Sequence, residues 1–451
     1  MTYGTANFTS QEHRSFPYIH LSASHSRSVR RGDSSGKVRV WIQGAVHGNE
    51  PAGDETTQAL LGKFDDDPEW TASILDKLEL VILPRYNPDG VFYFQRTLAT
   101  NLDPNRDHIK LASQQTRDIK QLMNTFNPHV IVDMHEYTAN TPYGGGKYVP
   151  GSDGLFSAAK NLNINKEIRE LSEELFARNI ADDMKTAGLR AEPYVTGSSV
   201  SNSSIVADFA EAGTDSKIGR NAMGLTQAVV FLLEMRGIGI ADQEFQRRTA
   251  AGLTMLGSIV QTAADNAEKV FTTVEDGIAR FIESADDIVV TDYSDTKIRP
   301  FTMVDRDNGS VVHPSVRFAS TTPSFANLTR SRPEAYLIPV AWAELAERLR
   351  VAGCEVETLD KPFEGPVEAL TITSAEIDDS YYEGVIRVTA TTESSERKLR
   401  LPKGSFRVST RQKNAALAMV ALEPENIDSY VSFNIVPVEE GDEYPIFRIM
   451  S

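Results

Sequence analysis

Hydrophobic positions follow two rhythms in the first half of the chain. "KVRVWIQG" (37–44) is a short run of apolar and β-branched residues, and "LELVILP" (78–84) is almost continuously apolar. "HVIVDMH" (129–135) and "TQAVVFLLE" (226–234) have the same texture. Such runs predict strands buried in a sheet. Longer segments with apolar residues every three or four positions lie between them. In "SQQTRDIKQLMNTF" (113–126), Ile119, Leu122, Met123 and Phe126 fall on one side of a helix. "PAGDETTQALLGKF" (51–64) opens on Pro and acidic residues, as a helix start does. Residues 165–188 predict a long amphipathic helix ending at Gly188, and 244–270 predict another. Strands separated by helices imply an α/β sheet with helices on both faces.

The texture changes after about residue 285. "GVIRVTATT", "RKLRLP", "GSFRVST" and "YVSFNIVP" predict short strands divided by turn residues, and one helix (339–354) interrupts them. The chain therefore divides into an α/β part, 1–288, and a smaller, mainly β part, 289–451. The residues ahead of position 47 read as largely irregular.

Length agrees with that division: 451 residues is about three typical domain lengths. The net charge of −17 argues against nucleic acid as a partner. No apolar run approaches the roughly 20 residues that span a bilayer. A single cysteine, Cys354, rules out an intrachain disulfide and a cysteine-rich metal site, so any metal must be held by His, Asp and Glu. The start, "MTYGTANFTS", lacks signal-peptide features, while sequons stand at Asn7, Asn202, Asn308 and Asn327. The sequons are compatible with secretion, though a few arise by chance at this length; the expectation is a secreted or extracytoplasmic protein whose signal is absent from this sequence, with a cytoplasmic one the alternative.

Candidate chemistry gathers at strand ends. In "GAVHGNEP", His47 and Glu50 follow the first predicted strand; His135 ends the 129–135 strand and Glu234 the 226–234 strand. Ligands of open α/β sheets bind outside the carboxyl ends of strands, so three strands deliver His, Glu, His and Glu to one edge. Two His and one Glu form a zinc ligand set with an open position for water. Glu234, after a run of apolar residues, is the candidate general base. Each residue also has a plain reading: a short His-x-x-Glu often arises by chance, and Glu234 could pair with Arg236. His13, His20, His25 and His313 read as surface residues, His129 as structural, and His108 as a surface residue or one behind the site.

These residues carry a family resemblance. "HGNE", "LDPNRD" (102–107), "VDMHE" and "FLLEMRG" resemble, in order and approximate spacing over about 37–265, the motifs of the zinc carboxypeptidase (metallocarboxypeptidase) superfamily that includes carboxypeptidase A. The resemblance implies a mixed central sheet with helices on both faces. It implies one zinc ion per chain, held by His47, Glu50 and His135, and Glu234 as the catalytic carboxylate. It implies that Asn105 and Arg106 grip a substrate's terminal carboxylate, a task suited to a planar guanidinium. Arg96 is the implied oxyanion-stabilising arginine, with Arg85 as the fallback. "GTDSKIGRNAMGL" (213–225) resembles a loop ahead of the catalytic strand and implies substrate contacts from Arg220 and Asn221. Digestive members carry a mobile Tyr before the catalytic Glu; Tyr194 is the last tyrosine ahead of Glu234. The expected activity is hydrolysis of C-terminal peptide bonds, with peptide or protein C-termini as partners. Two alternatives stand beside it: a deacylase of N-acyl amino acids, and a zinc-holding peptide- or glycan-binding protein without catalysis.

Overall fold

A computed structural model describes residues 2–23, 36–201 and 204–450, which leaves His25 and Asn202 outside the described residues. At its centre is an eight-stranded mixed sheet. In spatial order its strands are Thr2–Thr9, Ser15–Leu21, Leu78–Leu83, Val38–Gln43, Val130–Thr138, Val229–Ile238, Gly154–Ala158 and Ala191–Pro193. The middle four run parallel and are buried along almost their whole length. They are the four apolar runs of the sequence. Antiparallel strands flank them on both sides.

Helices cover both faces. Trp41, Gln43 and Asp133 share one face, since Gln43 pairs with Asp133 across the ladder. Phe126 of the helix Gln114–Phe126 packs at a tilt against Trp41 there. Met134 points the other way, and the helix Pro51–Asp66 lies so close to it that a Cβ on Gly53 would meet the Met134 carbonyl at 2.8 Å. Gly252 brings the long helix Phe245–Asp265 equally close to Thr56 and Met235 on that same side. None of the described helices is long and apolar enough to cross a membrane.

The region after 288 has its own six-stranded sheet, which contains the long hairpin strands Phe363–Tyr382 and Val385–Leu401. It also completes structure begun earlier. Ile288–Pro300 and Ser315–Arg330 join Ile205–Glu211 and Val195–Ser199 in a four-stranded sheet, and Met303–Asp305 pairs with Tyr148–Pro150. One hydrophobic core runs from Phe16 to Ile446 through both parts.

Several sequence expectations change. The described part of the lead holds regular structure: Thr2–Thr9 and Ser15–Leu21 are paired strands. Thr2–Thr9, at the sheet's edge, alternates half-buried with exposed residues, and Ser15–Leu21 mixes buried and half-buried ones, so neither forms a continuous apolar run. His20 is buried, not on the surface, and pairs with Glu79 at 2.5 Å. The C-terminal region holds a second helix, Ala415–Leu422, beside Ala343–Val351. All of its residues are buried, so no amphipathic period marks it. "YVSFNIVP" is a run of buried turns instead of a strand, because Ile435 and Val436 both return their N–H groups to the Tyr430 carbonyl. The 244–270 helix breaks at Asn266 into Phe245–Asp265 and Ala267–Glu283. Asn7, Asn308 and Asn327 are exposed.

Candidate metal centre

His47 and Glu50 lie in the tight connection between the strand Val38–Gln43 and the helix Pro51–Asp66. The connection passes close to another: a Cβ on Gly48 would sit 1.9 Å from the backbone carbonyl carbon of Gly90, so only glycine fits. His135 stands on Val130–Thr138, and Glu234 is its register partner on Val229–Ile238. All four are buried.

Donor atoms converge. His47 Nδ1 lies 2.7 Å from Glu50 Oε1, His135 Nδ1 lies 2.9 Å from Glu50 Oε2, and the two Nδ1 atoms are 3.1 Å apart. One ligand atom from each of the three residues falls within 4.8 Å of the others, as a shared cation requires. A carboxylate lies on the far side of each ring. His47 Nε2 meets Asp103 Oδ1 at 3.0 Å, and His135 Nε2 meets Asp133 Oδ2 at 3.1 Å. The hydrogen bond from His47 Nε2 to Asp103 makes that nitrogen the donor and leaves the His47 Nδ1 lone pair free for a metal, while Asp133 places a carboxylate charge beside His135 Nε2 without a hydrogen bond between them. Two neutral imidazoles and one carboxylate suit zinc.

The electrostatics agree with this arrangement. Burial raises Glu50, but His47 and then His135 outweigh it and hold the carboxyl below its usual range. Asp103 is likewise raised by burial and lowered further by His47, Arg96 and Arg106. Glu234 behaves oppositely: burial pushes it up to about 8, with His135 opposing and Glu50 adding to the rise.

The remaining predicted residues separate into three groups. Arg96 reaches the centre, with its guanidinium 2.8 Å from Asp103 and 3.3 Å from Glu50. Arg85 instead pairs with Asp54 at 2.5 Å, away from the donors. Asn105, Arg106 and Arg220 line the same cavity of about 560 Å³ as His47, Glu50 and Glu234. Arg220 is fully buried there, donates to the Gly213 carbonyl at 2.6 Å and leaves Nε without a protein partner. Tyr194 lines the cavity too. Asn221 does not line it. Its amide is consumed by backbone, accepting from Lys160 at 2.8 Å and donating to Gly213 and Asp215 at 2.9 Å, so it braces the loop that carries Arg220. Arg236 donates to the Ala139 carbonyl at 3.4 Å. His108 is buried, which removes the surface reading.

Sequence reasoning missed Asp133 and Asp103. Asp133 had a readable signal: it stands two positions before His135 in a strand, hence on the same face. Asp103 had none, because its approach to His47 depends on how the 94–107 loop returns to the sheet. Phe301 and Met303, from the region after 288, also line the cavity.

A strand edge whose donors could hold a metal, beside a buried carboxyl, has the makings of a metallohydrolase site, and sequence relatives define the class. The zinc carboxypeptidase family profile matches residues 7–145, which include all three candidate ligands. The chain belongs to this family and is a zinc metallopeptidase of the carboxypeptidase kind. It is 56% identical over 450 residues to "Carboxypeptidase 2" of Trichophyton equinum, covering 100% of this chain and 83% of that protein. "Carboxypeptidase 2" of Trichophyton rubrum matches at the same identity and coverage. Among solved structures, a metallo-carboxypeptidase from Pseudomonas aeruginosa is 17% identical, with 59% of this chain and 64% of that chain covered and a TM-score of 0.42.

Proposed function

We propose that the protein releases C-terminal residues from peptides at a zinc ion held by His47, Glu50 and His135. The observation that carries this reading is the convergence of two carboxylate-backed Nδ1 atoms on the Glu50 carboxylate, beside a buried Glu234 on the adjacent strand. When bound, the ion supplies an acidified water and polarises the scissile carbonyl. Glu234 takes the water's proton and passes it to the leaving amine. Its buried setting suits that exchange. Arg96 stabilises the developing oxyanion from the edge of the donor cluster. Asn105 and Arg106 bind the terminal carboxylate. Arg220 adds a second buried guanidinium to the cavity wall, and Tyr194 packs over the same space. Residues 1–288 form the catalytic part in this reading, with cavity wall contributed from the region after 288. The exposed sequon asparagines support an extracytoplasmic setting, which glycan analysis of the native protein checks.

The peptidase reading is separated from the deacylase by substrate. Cationic groups along the cavity suit a free carboxylate, which both substrates carry, and carboxypeptidase relatives over the full chain favour peptides. A peptide with a free C-terminal carboxylate is expected to lose its last residue, while the same peptide as an amide is spared. Preferential hydrolysis of small N-acyl amino acids would sink the peptidase reading. Zinc bound at one per chain with neither substrate turned over would leave the non-catalytic binder.

A further inference from the structure

The region after residue 288 reaches the loop behind the metal centre through the end of its long hairpin. In the long hairpin, Tyr382 pairs with Val385, which leaves Glu383 and Gly384 as a two-residue turn. Both have positive φ, 46° and 89°. Two successive positive φ values are the mark of a type I′ turn, for which Asn-Gly is the favoured pair. A glutamate is unusual there, because left-handed backbone is costly without the short side chain of Asn or Asp. A disfavoured residue held in such a position points to a use for its side chain.

That use is visible. Glu383 Oε2 accepts the Asp103 backbone N–H at 2.8 Å, across 280 residues of sequence. The Asp103 side chain in turn meets His47 Nε2 at 3.0 Å and Arg96 at 2.8 Å. Holding the Asp103 peptide therefore fixes the base from which this carboxylate reaches both groups. The hairpin end is itself braced. Arg387 donates to Ser432 at 2.9 Å and to Asp428 at 3.3 Å. Asp428 also accepts the Lys217 backbone N–H at 2.9 Å. Two residues further, the Gly219 N–H bonds Asn105 Oδ1 at 2.7 Å.

We propose that Glu383 is a positioning residue for the metal centre: its carboxylate fixes the Asp103 backbone, and through Asp103 the orientation of His47 and Arg96. The inference rests on the metal site proposed above. It makes the hairpin a working part of the active site, supplied from the far end of the chain.

The test uses the full chain and its Glu383→Ala, Glu383→Asn and Glu383→Gln variants. Zinc affinity is measured by competition with a chelator, kcat and KM on a free-acid peptide, and unfolding temperature on the metal-free protein. Ala and Asn are expected to weaken zinc binding about 10-fold, the lower end for groups behind a ligand, and to lower kcat with KM nearly unchanged. Gln keeps an acceptor oxygen and is expected within about threefold of the parent. Asn creates the favoured Asn-Gly turn, so its unfolding temperature should equal or exceed the parent's, which separates positioning from loss of fold. If the parent binds zinc but the Ala and Asn variants match it in affinity and kcat, the inference is overturned while the metal site stands. A parent that binds no zinc overturns both.

Discussion

The two sides of the metal centre are held in different ways. On the sheet side, Asp133, His135 and Glu234 stand on adjacent parallel strands, and His135 and Glu234 are register partners. A ladder of backbone hydrogen bonds sets the positions of their backbones, and Gln43, on the strand beside Asp133, adds a side-chain bond to it. On the loop side, Arg96, Asp103, Asn105 and Arg106 belong to a segment whose only regular element among the described residues is the short turn Pro104–Arg106. There the positions depend on remote partners: Asp103 on Glu383, and Asn105 on Gly219. A strand-borne group keeps its place when a neighbour changes. A loop-borne group is only as fixed as the contacts that hold it.

The sharpest probe of the sheet side is Glu234→Gln. The substitution keeps size and strand pairing and removes the base, so turnover should fall by roughly 10²–10⁴, the usual contribution of a positioned acid–base group. Zinc should remain near one per chain. Near-parent turnover by this variant would end the proposed role of Glu234.

Substituting the two outer carboxylates sets the sides against each other. Asp133→Asn and Asp103→Asn each remove the charge behind one imidazole, and each should cost about 10–100-fold in zinc affinity. The Asp103 loss is expected to be the larger. Asp133 is also bonded by Gln43 at 3.0 Å and stands in a strand, so Asn can keep its place. Asp103 balances His47, Arg96 and the Asn105 N–H at once, and an amide cannot serve all three. Equal losses in chelator competition would show that the loop is as rigid as the sheet.

This difference also explains how much was legible in the sequence. The strands Val38–Gln43, Leu78–Leu83, Val130–Thr138 and Val229–Ile238 are apolar enough to announce themselves, and the strand-end rule then brings His47, Glu50, His135 and Glu234 to one edge. The loop side was legible only as the motif "LDPNRD", which singled out Asn105 and Arg106 but not Asp103. Arg96 and Arg85 looked alike because both lie in connections after one strand. Glu383 could not have been found: no local pattern links a hairpin turn to a backbone N–H so distant in sequence. The Asn221 amide, expected at the substrate, is consumed by backbone carbonyls and an N–H that only the folded loop brings near.

Burial of Glu234 has a smaller consequence that is read in the metal-free protein. Its folded-state pKa, about 8, lies above the usual 4.5, so the folded chain holds this proton more tightly than the unfolded chain does. Its contribution to stability is complete below the usual value and is lost as pH rises towards about 8. Glu136, raised by burial to about 7, acts in the same direction. Denaturant midpoints in chelator should therefore fall more steeply between about pH 5 and 8 for the parent than for Glu234→Gln. Parallel slopes would mean that Glu234 is hydrated in the folded protein.

The smallest expected effect belongs to Arg85, and it tests whether the loop side was assigned to the right arginine. Arg85 pairs with Asp54, and its side chain is 47% exposed. Exposed ion pairs contribute roughly 0–1 kcal/mol, so Arg85→Ala should shift stability by no more than that and leave kcat on a free-acid peptide at the parent value. Arg96→Ala should lower kcat by about 10²–10³, the scale for losing one oxyanion donor. Arg96 is also partly exposed, at 40%, so exposure alone does not distinguish the two. What does is direction: Arg96 faces Glu50 and Asp103, and Arg85 faces a helix of the opposite layer. If the two variants exchanged effects, the loop would have to rearrange when substrate binds, and the arrangement of Arg96, Asp103 and Glu383 would describe a resting state rather than the working one.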